Sequence, residues 1–501
     1  MRILVCVFAV AAFCLAPAVA AETQTGEPAP EAAAPPPDCA SVIPASRAAI
    51  ADKSFATANE EKRWKTYADL ANCGLDLARW KDAEEGVSGV LSIDPDNTAA
   101  LKFRIILSGI MQSKAPEAVD AIERLSKIAP KVISEISLPL LSNVSRLYQQ
   151  DENQRLRFRF LQALFAADYR PPDPADRIDG VRIEYIHLLL ENRWKADAVE
   201  QIRLIADPTI VAEFLFDKSY DDLARFPGMP TVGSVAELVA AEVARAKEIA
   251  TNNPGSMNAA VREIQALRMA GMFDAAATRA AAVVSAAESP DAPSKFADYV
   301  DMAPWLYNEY ADALYDVGKD DEARAAFSKA ATFDENGAPN VSQTINFAEM
   351  LFGEGRFDEA QSTIAKLDRR FASPYGKMWA SAARVCIKAF KRTLKAGDAD
   401  LAFVKANAAE NGAAFAKAML CIDDEDAVAA QLIQRLEDPF RRAAALRPLQ
   451  NTIDPPHSLP IDIELNRRAE AVAARPEVAA AIDKAGRILD LPFYPAHWGE
   501  Y

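Results

Sequence analysis

The sequence predicts an all-α fold, a superhelical array of antiparallel helical hairpins ending in a C-terminal helical cap. Three observations predict it. Apolar residues recur at helical spacing, as in Trp64, Tyr67, Leu70 and Ala71, in Val261, Ile264, Leu267 and Ala270, and in Leu306, Tyr310, Ala313 and Leu314. These stretches are rich in Ala and stop at short Gly, Asn or Asp turns. The turns themselves recur at a period in the mid-thirties, which marks an array of helix–turn–helix units.

Size and charge narrow the function. A chain of 501 residues exceeds one compact core, so it divides into two to four domains or one long array. Half of the residues are apolar and 26% are charged, the balance of a folded protein. A formal charge of −16 disfavours nucleic acid and anionic lipid as partners. Only 3 histidines leave little room for histidine catalysis or metal binding. No cofactor is indicated.

The elements follow in order. Met1 and Arg2 precede an apolar run that ends at Ala18-Val19-Ala20, the small-x-small pattern of a signal peptide, so residues 1–20 are expected to be cleaved and the chain exported to the periplasm or secreted. Pro17 and the polar stretch that follows disfavour a transmembrane reading, and bulky Phe13 disfavours lipidation at Cys14. No later run is apolar enough to span a bilayer. Residues 21–38 are Pro- and Ala-rich and read as a disordered tether that reaches roughly 50 Å if extended. With Cys6 and Cys14 removed, Cys39, Cys73, Cys386 and Cys421 remain, and four cysteines allow three pairings. The sequence-local one joins Cys39 to Cys73, across antiparallel helices, and Cys386 to Cys421. No Cys-x-x-Cys accompanies them, so structural disulfides are expected rather than a metal site.

Residues 39–375 carry the repeats. Ala78-Arg79-Trp80-Lys81-Asp82-Ala83 opens a helix that ends at Asp94-Pro95. Pro116-Glu117-Ala118 opens another that ends at Ala129-Pro130, and Ala118 lies 35 positions after Ala83, as Pro130 does after Pro95. Further copies begin at Gly271, Gly318 and Gly355, with a looser one at Arg193-Trp194-Lys195. These residues resemble the tetratricopeptide repeat, in which a Gly-aromatic-x-x-Ala turn joins two antiparallel helices and a Pro closes the second. Glycine supplies the turn, the aromatic packs between hairpins, and Ala83, Ala118, Ala276, Ala323 and Ala360 let helices approach closely. The match is strong at 60–130 and 300–372 and looser at 185–205 and 258–285. Lys319-Asp320 replaces the turn aromatic and Ala372 the closing Pro, so those hairpins are expected to splay. Residues 131–170 and 210–250 read as helical pairs without the signature.

Residues 376–450 read as a helical extension or cap, and 451–501 as a Pro-rich break, one helix near 463–490 and a Pro/aromatic tail. A cap covers the last apolar face of such an array. The phrases Cys421–Asp426 and Gly486–Asp490 resemble the ends of uncharacterised exported bacterial repeat proteins, a likeness that implies no activity.

Chemical signatures are sparse. No Gly-x-x-x-x-Gly-Lys loop, Gly-x-Ser-x-Gly elbow or His-Glu-x-x-His helix is present. His187 sits in an apolar helical run, and His457 and His497 lie in Pro-rich segments. The acidic Asp423–Asp426 lacks the spacing of a calcium loop and suits a helix start. Glu288-Ser289 resembles the catalytic pair of murein-cleaving enzymes but lacks their Gly-rich continuation.

A binding groove remains. The first helix of each hairpin lines the concave face, where Trp305, Asn308, Asp312 and Tyr315, then Asn346, Glu349 and Phe352, form a candidate peptide groove. No Lys/Asn carboxylate clamp is evident. The expected function is a non-catalytic scaffold for a protein or peptide segment. The alternatives are a murein- or glycan-associated factor, either a binder or a weak hydrolase with dispersed carboxylates, and a structural assembly subunit.

Overall fold

The computed structural model describes residues 38–111, 116–149, 153–335 and 337–495. The expected signal peptide, nearly all of the tether, and His497 lie outside them. All regular secondary structure among the described residues is helical, with three isolated β-bridges and no strand. They divide into two compact units that meet in sequence at Asn192 and Arg193.

The first unit opens with Asp38, whose carboxylate caps the helix Cys39–Ala51. Cys39, at its first position, is bonded to Cys73 in the helix Glu60–Asp76. That helix pairs with Trp80–Ile93 at close range. A methyl group added at Gly86 would fall 2.4 Å from the Ala71 nitrogen, so only glycine fits there. Ala71, Ala83, Val87, Val90, Ala100, Phe103 and Leu107 fill the core between these helices and Thr98–Met111. Asn59 and Asn97 cap helix starts by accepting from Lys62 and Ala100 amides. Pro116–Ile128 follows, and the unit continues through Leu138–Leu147, Gln154–Ala166 and Asp179–Glu191. His187, in the last of these, is half-buried.

The second unit contains the hairpins Met257–Met269 with Phe273–Ala287, Tyr299–Asp316 with Asp320–Ala330, Ser342–Gly353 with Phe357–Ala365, Pro374–Phe390 with Ala399–Ala406, and Gly412–Cys421 with Glu425–Glu437. Four of these turns share one geometry. The residue two past the first helix is left-handed: Gly271, Gly318, Gly355 and Asp423. The next amide then donates to the carbonyl five residues back, as Met272 does to Leu267, Lys319 to Leu314, Arg356 to Leu351 and Asp424 to Met419. Ala78 and Arg79 repeat it in the first unit, with Arg79 donating to Gly74. Arg392 gives Pro374–Phe390 the same ending, but a longer loop follows before Ala399. Ala83, Ala118, Ala276, Ala323 and Ala360, the small positions of the repeat, are fully buried. Cys386 and Cys421 join successive first helices in a second disulfide.

The C-terminal region departs from the single expected helix near 463–490. It forms Pro460–Ala473 and Pro476–Ala485, because Pro476 has no amide to donate and holds Arg475 in an extended conformation. Residues 486–495 are not helical. The C-terminal region from residue 451 does more than cap the last hairpin. From Asn451 the chain crosses the repeat turns in order: Ile453 lies against Gly271, His457 against Gly318, and Leu459 against Gly353. Arg468 then donates to the Leu420 carbonyl at 2.8 Å and pairs with Asp423. At the unit's other end Gly486 bridges to Asp217, and the Arg487 amide donates to the Phe216 carbonyl at 2.8 Å. Arg447 pairs with Glu213 and Arg487 with Asp221. The second unit is therefore closed on itself, where an open array would end free.

Candidate functional site

The first helices of the second unit place a polar stripe on their inner side. Asn308, Asp312 and Asp316 succeed one another at four-residue steps along Tyr299–Asp316 and so share a helix face. Arg268, from the preceding first helix, answers them. Its guanidinium lies 2.6 Å from Asp316, 3.1 Å from Glu309 and 3.6 Å from Asp312, and all four side chains are buried. Burial works against the Arg268 charge, but Asp312, Asp316 and Glu309 outweigh it and hold the group protonated well above the ordinary range. Gln265 donates to Glu309 at 2.8 Å.

The stripe runs on into the next hairpins. Asn308 donates to Asp312 at 3.0 Å and accepts from Asn346 at 2.8 Å. Glu349 pairs with Lys417, two hairpins later, and Lys417 lies 5.7 Å from the Phe352 ring centre. Burial opposes the lysine charge, and Glu349 with Asp462 reverses the balance and raises its affinity for the proton. Phe352 packs edge-on to Phe390 at 5.2 Å.

The sequence-predicted groove residues are thus placed as follows. Asn308, Asp312, Tyr315, Glu349 and Phe352 are buried within the chain, Asn346 is half-buried, and Trp305 is 37% exposed. Tyr315 stands against His457 at 5.4 Å, and His457 Nε2 is 3.0 Å from Asp320. The face expected to be an open groove is filled by ladders between neighbouring helices and covered at its turn ends by residues 453–459. Cys39, Cys73, Cys386 and Cys421 form the two sequence-local disulfides. Asp424 caps its helix by accepting from Ala427, while Glu425 and Asp426 pair with Arg475.

Sequence reasoning overlooks Arg268, Glu309, Asp316, Lys417 and Tyr494. Two signals point to some of them. Acidic or amide groups at 308, 312 and 316 require a buried cation, and a lone Lys417 within Gly412–Cys421, otherwise small and apolar, marks a paired buried charge. Tyr494 completes the cluster from the C-terminal segment. Its amide donates to the Met269 carbonyl at 2.7 Å, its hydroxyl reaches Asp316 at 3.4 Å, and its ring meets Phe273 edge-on at 5.3 Å. Burial, then the Asp316 charge, pushes its hydroxyl pKa upward.

Large aromatics are left exposed in the N-terminal half of one first helix and around the start of another, away from the covered turns. Besides Trp305 these are Tyr375, 58% exposed at the start of Pro374–Phe390, and Phe371 just before it, 43% exposed. Trp379, one turn on, is half-buried and meets Tyr375 edge-on at 6.4 Å. Among the described residues, no group of His, Cys, Asp and Glu could hold a metal ion, and no helix is long and apolar enough to cross a membrane.

No protein-family model and no curated protein matches the chain. Among solved structures, "Structure of Naa15/Naa10 bound to HypK-THB" is similar over 89% of this chain and 72% of that chain, with 11% sequence identity and a TM-score of 0.23. A likeness at that score carries no argument about function. The all-α repeat fold stands on this chain's own helices and recurring turns.

Proposed function

We propose that the chain is a non-catalytic scaffold of the tetratricopeptide type that holds a protein segment at the loop edge of its second unit. The observation that carries this reading is the exposure of Trp305, in the N-terminal half of one first helix, and of Phe371 and Tyr375, around the start of another. Exposed aromatic side chains supply area at low entropy cost and commonly anchor protein interfaces. Net charge favours basic or neutral segments. The non-catalytic part is supported by the state of the inner carboxylates: Glu309, Asp312 and Asp316 are buried against Arg268, out of reach of a glycan. Export is supported by the pair of disulfides, which suit an oxidising compartment such as the periplasm or the cell exterior.

Co-purification from native envelope extracts tests the reading, comparing wild type with a Trp305→Ala, Phe371→Ala, Tyr375→Ala variant shown by circular dichroism to be folded. A protein recovered with wild type and lost from the variant supports the loop-edge surface. The same partners recovered with both would remove it.

A further inference from the structure

The turn edge of the second unit carries a separate feature. Tyr494 occupies a seat made by the end of the helix Met257–Met269 and by Phe273 and Asp316, all supplied by the repeats. The seat is assembled without it. Arg268 and Asp316 hold each other at 2.6 Å, Arg268 pairs with Glu309 at 3.1 Å, and Gln265 donates to Glu309 at 2.8 Å, all without the tail. What the tail adds is one main-chain hydrogen bond to Met269, a hydroxyl contact at 3.4 Å, and a ring 5.8 Å from the Arg268 guanidinium. Removing it breaks none of the charge pairs.

The tail also has the form of a bound linear segment. Pro492 and Pro495 flank Phe493-Tyr494 and favour extended backbone on either side. The segment lies beside residues 451–453, with the Leu491 amide donating to Asn451 at 2.7 Å and the Ile453 amide to Phe493 at 3.0 Å. Phe493 is buried. Such strand-like addition plus an aromatic anchor is a recurring way of binding extended peptides.

We propose that residues 491–495 are an intramolecular ligand, and that a protein partner bearing an extended segment with an aromatic pair before proline binds the same seat by displacing them. Three acidic groups around one arginine make the seat favour a tyrosine hydroxyl donor and neutral or basic flanks. The inference uses residues distinct from the loop-edge aromatics, so the two stand or fall separately.

The test is fluorescence anisotropy with a labelled synthetic peptide of residues 489–495 and the full-length protein. The expected result is binding to a Phe493→Ala, Tyr494→Ala variant at least tenfold tighter than to wild type, lost when the peptide's own tyrosine is alanine. Equal binding to both proteins, or none to a variant with wild-type circular dichroism, would overturn the proposal. Hydrogen exchange on unaltered wild type provides a second reading that needs no variant. The Tyr494 and Ile453 amides should exchange by local opening, faster than amides in the middle of Met257–Met269. Exchange at the same rate as that helix would show the tail to be part of the core and overturn displacement.

Discussion

A residue in the left-handed region costs an ordinary side chain about 1–2 kcal/mol that glycine does not incur. The repeat turns expose this cost because one geometry is occupied by glycine in three hairpins and by Ala78 or Asp423 in two others. Ala78→Gly should therefore stabilise the first unit by about 0.5–1 kcal/mol, and Gly318→Ala should destabilise the second by about 1–2 kcal/mol. Urea midpoints at constant slope would check both, and a stabilising Gly318→Ala would show that the turn relaxes out of its left-handed form. The glycine turns are plain in the sequence because their phrases recur. Arg268 is not: its partners lie more than 40 positions away, and no local rule links them. Arg268→Met should cost about 3–5 kcal/mol, because it leaves Glu309, Asp312 and Asp316 buried without their cation. A loss below about 1 kcal/mol in chemical denaturation would mean that the carboxylates already share protons.

At the scale of elements, the helix Pro460–Ala473 shows how a short segment is fixed across several hairpins. Leu465 and Val472 supply its buried face. Arg468 donates to Leu420 at the end of Gly412–Cys421 and pairs with Asp423 in the following turn. Glu464 positions that arginine from one turn earlier, and hydrogen bonds from Arg467 and Arg468 lower its pKa to about 2. The sign follows from proton linkage. A carboxylate held below its ordinary pKa of 4.5 contributes stability that is complete above that value and lost as pH falls through about 2. Glu464→Gln should therefore be less stable than wild type at neutral pH, with the difference closing as pH falls from about 4.5 to about 2. Because the group is exposed, added salt should shrink the difference too. A difference independent of pH would assign the loss to packing. The sequence shows helical spacing here but misses the break, since periodicity continues through Arg475-Pro476 while the proline forbids the backbone.

At the scale of the second unit, closure changes what a repeat array does when it unfolds. In an open array each hairpin touches only its neighbours, so the ends fray first and stability is a sum of local terms. Here residues 213–221 and 447–487 meet through Arg447–Glu213, Arg487–Asp221 and the Asp217–Gly486 bridge, more than 230 positions apart in sequence. Hairpin signatures carry no information about such a contact, because nothing in Gly486-Arg487 marks Phe216 as its neighbour. The seam has a buried and an exposed part. Glu213 is buried, and that burial raises its pKa even beside Arg447, whereas Asp221 is exposed, so Arg487 contributes less through charge than through its amide bond to Phe216. Joining residues 213–221 to 447–487 ties down the region from which fraying would start, and it couples Pro208–Phe216, early in the unit, to Pro476–Ala485, its last helix. Native-state hydrogen exchange should accordingly find Pro208–Phe216 and Pro476–Ala485 opening together, with one shared dependence on denaturant. Arg447→Ala, which strands the buried Glu213 carboxylate, should lower protection in both segments alike. If Pro476–Ala485 instead lost protection first and alone, the unit would behave as an open array with its C-terminal region merely resting on it.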